Sequence, residues 1–286
     1  MSRPADGPGA AGSAPHVQLL GLCRFSVPSL GAFQTGPEDI ESRRALLYAP
    51  ERLAHRLTWL AHAALPSLRA QTDDDFRLVL LLGEDFPDPW LDRIQALVAD
   101  LPQVVIAHAP PGPHREICAA ALRPQIDPAA QVVAQFRLDD DDAVAVDFVA
   151  RVRADAASQF SLFQNSGLMA LDYCRGVLLQ ERRGRLHPML RRASLWTPGL
   201  AVLTRPDTDK MILDFLHNQL WRHMPVLSLP DKVMFLRGAH HDNDSLIALD
   251  GSPDLPSTVD WPRLLARRFG IDLAAFAQAI GRLKVT

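Results

Sequence analysis

Four consecutive aspartates, Asp139 to Asp142, follow the apolar run Val132 to Phe136, with Arg137 just ahead of them. Adjacent carboxylates repel one another, so a folded chain must bring positive charge to this point. A divalent cation held through oxygen ligands does so, commonly with a phosphate sharing its coordination sphere. The plainer alternative is an acidic cap on the helix expected from Val144 to Arg153. Four carboxylates exceed what capping requires, so a divalent-cation site is the expectation. A second polar segment, His240 to Ser245, offers imidazole and carboxylate groups; its alternative is a solvent loop with an Asx-turn.

Rival uses of an aspartate run fail on spacing. The prenyl-synthase pattern Asp-Asp-x-x-Asp would end at Ala143 or Val144. An EF-hand loop begun at Asp139 would place Val144 and Ala150 where glycine and glutamate are needed. GxxxxGK[ST] and GxSxG are both absent, which disfavours P-loop ATP hydrolysis and serine-esterase chemistry.

The elements that must position these groups read as an alternation. Val17 to Ser26 is a buried first strand running into a loop. Helical spacing over Tyr48 to Arg69 follows, with Pro66 as a kink. Phe76 to Gly83 is a second strand, Pro89 to Ala99 a helix with proline in its first turn, Val104 to Ala107 a third strand, and His114 to Leu122 a short helix. Val132 to Phe136 then carries the aspartates. Continuous apolar strands alternating with helices predict a mostly parallel sheet covered on both faces. Ligands in such sheets bind beyond the carboxyl ends of the strands, where Arg24, Glu84, Asp85 and the aspartates fall.

The second half is less regular. Runs at Ser161 to Gly167, Gly167 to Tyr173 and Ala193 to Leu203 suggest further strands, Thr208 to Arg222 a helix, and Trp261 to Leu283 one or two amphipathic helices. Val226 to Leu229 and Met234 to Leu236 are short apolar runs. The expected organisation is a disordered tail over 1–15 and a single domain over 16–286. Within it, 16–157 would form a nucleotide-binding half and 158–286 an acceptor-binding half. The arginines of Glu181 to Arg185 and at 191 and 192 read as a solvated loop.

At 286 residues and a net charge of -3, the chain lacks the basic footprint of a nucleic-acid binder. Its three cysteines are far apart, which excludes a disulfide framework or cysteine zinc site and suits a reducing cytosol. No signal-like or membrane-spanning run is present, so a cytoplasmic place is expected, with peripheral membrane association left open.

The pattern Arg137-x-Asp139-x-Asp141-Asp142 at a strand end resembles the metal motif of GT-A-fold glycosyltransferases. Ser67-x-x-x-Gln71 ahead of the second strand resembles family-2 members of that group. Gly21 to Ser26, Tyr48 to Arg52, Leu68 to Thr72, Pro111 to Arg115 and the aspartate run together resemble a bacterial rhamnosyltransferase family, from about Val17 to Ser245. The resemblance implies Asp139 at the ribose or the metal, Asp141 on Mn²⁺ or Mg²⁺, and Asp142 near the sugar or capping a helix. Asp140 lies within the same metal-binding run. It also implies a late ligand, His240 or His241, completing the metal sphere. Glu84 and Asp85 stand where related enzymes hold base or ribose, although Gly83-Glu-Asp-Phe86 departs from the usual Asp-Asp-Gly-Ser.

Arg24, Arg115 and Arg137 are candidates for the diphosphate or nucleotide, and Trp196 and Trp221 are core tryptophans or sugar-stacking faces. The expected reaction moves a sugar from a nucleotide-sugar donor to a glycan or lipid-linked saccharide. Were configuration inverted, Asp242 or Asp244 would take the acceptor proton. The alternatives are a carbohydrate- or nucleotide-binding protein without catalysis, and a sugar nucleotidyltransferase. The latter is disfavoured because the first strand is followed by no glycine-rich loop with lysine.

Overall fold

The structure, a computed structural model, describes residues 14–31, 37, 39–243 and 258–283. Asp244 and nearly all of the expected tail lie outside the described residues. The strands used below are β1 (Val17–Arg24), β2 (Arg77–Gly83), β3 (Val104–Ala109), β4 (Val132–Arg137), β5 (Leu168–Asp172), β6 (Arg175–Arg182), β7 (Arg185–Arg192), β8 (Leu200–Thr204), β9 (Val226–Ser228) and β10 (Phe235–Ala239).

The expected α/β class holds. Seven strands form one sheet in the order β9-β5-β8-β4-β1-β2-β3. β1 is parallel to β2 and β4, β2 to β3, and β9 to β5; β8 alone runs antiparallel to both its neighbours. Alternate residues of β1 feed opposite faces: Leu19 and Cys23 join one core cluster, Leu20 and Leu22 the other. That is why the strand is apolar throughout rather than alternating. Each leucine sealed here contributes roughly 1.5–3 kcal/mol relative to exposure.

The helix from Pro50 does not stop at Pro66. Pro50–Trp59 continues through a π turn, Leu60–Ala64, into Leu65–Arg69. The Leu65 N–H reaches back to the Leu60 carbonyl, and the widened turn lets a residue without an N–H enter the helix. Ser67 and Gln71 at its end grip the chain that leaves the aspartates. Gln71 donates to the Ala145 carbonyl and accepts from the Val149 N–H, and Ser67 Oγ accepts from the Val144 N–H at 3.3 Å. The Ser-x-x-x-Gln spacing is thus a clamp, one helical turn apart, on the segment between β4 and the Phe148–Ser158 helix.

Corrections fall in the second half. Residues 161–167 are not a strand but belong to the helix Phe160–Ser166, which ends at Gly167 with φ +72. The Thr208 to Arg222 stretch is not one helix: two 3-10 turns, Ile212–Asp214 and His217–Arg222, are separated by extended backbone at Phe215 and Leu216. The basic segment around Glu181 is only a loop at its tip. β6 and β7 form an antiparallel hairpin through Arg183 and Gly184, both in the left-handed region that a two-residue turn requires. β6 and β7 extend through β10 to the two-residue strand Ala143–Val144, a small second sheet placed directly after the aspartates. The C-terminal stretch is two helices, Trp261–Phe269 and Leu273–Arg282, broken at Gly270. Among the described residues no helix is long and apolar enough to cross a membrane.

Candidate active site at the strand ends

β1 and β4 lie side by side with Leu22 opposite Arg137, so Arg24 and the aspartates emerge at the same edge of the sheet. The aspartates turn sharply there, the Asp142 N–H meeting the Asp139 carbonyl at 3.0 Å. A cleft opens at this edge, with Asp139, Asp141, Asp142, Arg24, Arg56 and Arg237 among its walls.

The four carboxylates do different things. Asp140 is sealed and accepts Arg56 Nε at 2.7 Å, with a second bond from Arg56 Nη2. Burial and the charges of its neighbours push its carboxyl up to about 7 despite Arg56. Asp141 sits 3.0 Å from His240 Nε2, accepts from Asn243 Nδ2 at 2.6 Å, and is held down at about 2 because Arg56 and His240 outweigh its burial. Asp142 is buried and accepts the Gly238 N–H at 3.1 Å, yet burial, Asp141 and Asp139 push its carboxyl well up. Asp139 accepts Arg24 Nη2 at 2.7 Å, and Arg24 and Arg137 hold it well below the usual carboxylate range against burial.

Gly238 explains the close approach of β10. A Cβ there would lie 2.4 Å from the Asp141 carbonyl oxygen and 2.9 Å from the Asp141 Cβ. Only glycine lets its own N–H reach Asp142 at that separation.

Positive charge gathers beside Asp139. Arg24 Nη1 lies 3.1 Å from His114 Nε2, and His114 Nδ1 lies 3.1 Å from Ser29 Oγ. Burial first, then Arg24 and Arg137, push the His114 ring down to about 3. It is therefore neutral: Nε2 accepts from Arg24 and Nδ1 carries the proton toward Ser29. Arg137 is 3.8 Å from Asp139, and burial together with Arg24 lowers its guanidinium to about 10. Its Nε has no hydrogen-bond partner among the described residues. Two arginines sharing one carboxylate leave room for a further anion.

Other expected residues lie elsewhere. Glu84 is exposed just after β2, and Asp85 is held by Tyr48 and Arg44, away from the cleft wall. Arg115 is exposed on the His114–Leu122 helix. His241 is exposed, whereas His240 is buried against Asp141. Asp242 faces away from the cleft, bonded to His55 Nδ1 at 2.7 Å and near Arg52, and is held at about 2 because those partners and His241 outweigh burial. A carboxylate so engaged is a poor proton acceptor. Trp221 is 62% exposed and so is no core residue. Trp196 is half-buried under the Arg237 guanidinium at 4.9 Å.

Sequence reading passed over Arg56, His114, Arg237, Asn243 and His55. One signal was present: Arg52, His55, Arg56 and Trp59 recur at helical spacing beside the leucine stripe, and all four are buried.

The sheet and the strand-end cleft define an α/β protein with a mostly parallel sheet and a charged site beyond its strand ends. Residues 18–249 match the model of a family described as "Putative rhamnosyl transferase", and the chain belongs to that family. No curated protein matches the chain. Among solved structures it is similar to S. aureus TarS 1-349 in complex with UDP, at 12% identity and TM-score 0.42, covering 78% of this chain and 60% of that one. It is also similar to Rv0371c from Mycobacterium tuberculosis H37Rv, at 15% identity and TM-score 0.31, covering 77% of this chain and 92% of that one. The chain thus spans less than two thirds of TarS 1-349.

Proposed function

We propose that the protein is a metal-dependent glycosyltransferase that takes a nucleotide-sugar donor, rhamnose being the sugar its family's description names, to a glycan or lipid-linked acceptor. The observation that carries this reading is one cleft lined both by the carboxylates of Asp139, Asp141 and Asp142 and by the guanidiniums of Arg24, Arg56 and Arg237. A sugar nucleotide presents a diphosphate, which needs both a cation bridge and direct donors. Arg24 and Arg137, crowded onto Asp139, would bind its oxygens.

These carboxylates suit a hard divalent cation. Asp142 is a buried carboxylate whose charged form its neighbours disfavour, and a cation relieves that strain. Asp139, Asp141 and Asp142 would hold Mn²⁺ or Mg²⁺, with the sealed His240 imidazole orienting Asp141 and Asp140 staying with Arg56. A metal bound there would neutralise charge on the departing diphosphate. The chain's own groups do the rest: Arg24 and Arg137 orient the diphosphate, and His114 fixes Arg24. In this reading residues 16–157 form the donor half and 158–286 the acceptor half of one domain, working in the cytoplasm.

The test is a screen of nucleotide sugars with Mn²⁺, reading release of nucleoside diphosphate. Turnover of at least one donor, falling about 100-fold in Asp141→Asn, is expected. Nucleotide binding without turnover of any donor, acceptors supplied, would instead make this a binding protein.

A further inference from the structure

His55, Glu181 and His241 come from the Pro50–Trp59 helix, the β6 strand and the segment after β10, yet one ligand atom of each lies within 4.8 Å of the others. We propose that these three side chains form a second cation site, distinct from the aspartate cleft and suited to Zn²⁺. The site rests on this geometry alone and is independent of glycosyl transfer.

The chemistry of the set favours a borderline metal. Two imidazoles and one carboxylate are a zinc donor set that leaves a fourth position for water, and donors around zinc sit about 2.0–2.2 Å from the ion. Small side-chain adjustments would bring atoms 4.8 Å apart or closer onto one centre. The supports are also those of a metal-ligating histidine. Asp242 Oδ2 lies 2.7 Å from His55 Nδ1, which fixes the ring and leaves Nε2 to face Glu181, also at 2.7 Å. Metal-bound histidines characteristically give their other nitrogen to a carboxylate in this way. Trp59 Nε1 donates to Glu181 Oε2 at 3.4 Å and orients the carboxylate.

This site differs from the aspartate cleft in its residues. His240 belongs to Asp141 at 3.0 Å, whereas its neighbour His241 turns to His55, ring centroids 4.7 Å apart. A cation here would tie the helix, the hairpin and the 240–243 segment that carries His240 and Asn243 to Asp141.

The experiment is Zn²⁺ titration of metal-stripped full-length protein by calorimetry, with Co²⁺ substitution read by visible absorption. One zinc per chain that Asp141→Asn does not remove, with the d–d bands of four-coordinate Co²⁺ in that variant, is expected. His241→Ala removes an exposed side chain without disturbing the core, and Glu181→Gln keeps the shape; both should abolish that binding. Asp242→Ala should weaken it 10- to 100-fold, and Asp141→Asn should leave it intact. No zinc bound in Asp141→Asn, or that zinc still bound when His241→Ala is combined with Asp141→Asn, would each overturn the proposal.

Discussion

Arg56 and Asp140 form a two-point ion pair with side chains 6% and 0% exposed, Nε to Oδ2 at 2.7 Å. Arg56 lines the cleft, and Asp140 is sealed behind it. Removing one partner leaves an uncompensated buried charge, which costs about 3–5 kcal/mol. Arg56→Ala should therefore lose about that much in urea denaturation, and Asp140→Ala in the same chain should restore part of it. A single-variant loss below about 1 kcal/mol would contradict the pairing.

Gln71 holds the segment that leaves the aspartates through both ends of its amide. Gln71→Ala leaves the Val149 N–H and the Ala145 carbonyl without that partner, at about 1–3 kcal/mol for a buried polar group. Hydrogen exchange at residues 144–149 should quicken in the variant. Unchanged exchange there would mean the clamp is not what orders the segment.

Gly238→Ala forces a Cβ against the backbone of Asp141. The expected outcome is a folded protein with a thermal midpoint a few degrees lower and turnover reduced about tenfold or more, since small misplacement of a site costs heavily. Wild-type turnover would show that β10 does not set the position of Asp141.

Much of this was legible beforehand, and the division is physical. β1, β2 and β4 could be read because strands covered on both faces are apolar without interruption. The aspartate run could be read because adjacent charges are anomalous in any sequence. The β6–β7 hairpin could not: Arg182, Arg185, Arg191 and Pro188 mask its inward residues Val177, Leu179 and Leu190. Nor could the partners of the aspartates, because Arg56 is 84 residues from Asp140 and Asn243 is 102 from Asp141. Such pairings depend on the register of β1 against β4 and on β10 joining Ala143–Val144, which no local pattern encodes.

Burial opposes charge on the His55 ring, but Asp242 and Glu181 outweigh it and push the ring up to about 9. A folded value above the unfolded one stabilises the protein fully below about 6.5, and the gain is lost as pH rises through about 9. The contribution is of order 3 kcal/mol at most. Chelator-treated wild type should lose stability between those pH values, and His55→Gln should lose less. Parallel profiles would contradict the clamped imidazolium.

The central claim is that the carboxylates of the cleft bind a divalent cation together with a nucleotide diphosphate. Calorimetric titration of UDP, GDP and dTDP, each with and without Mn²⁺, tests it most directly. The account predicts that at least one of them binds at least tenfold more tightly with Mn²⁺, and that Asp141→Asn abolishes the gain while binding without metal persists through Arg24 and Arg137. Nucleotide affinity indifferent to Mn²⁺, or a gain that Asp141→Asn leaves untouched, would contradict it.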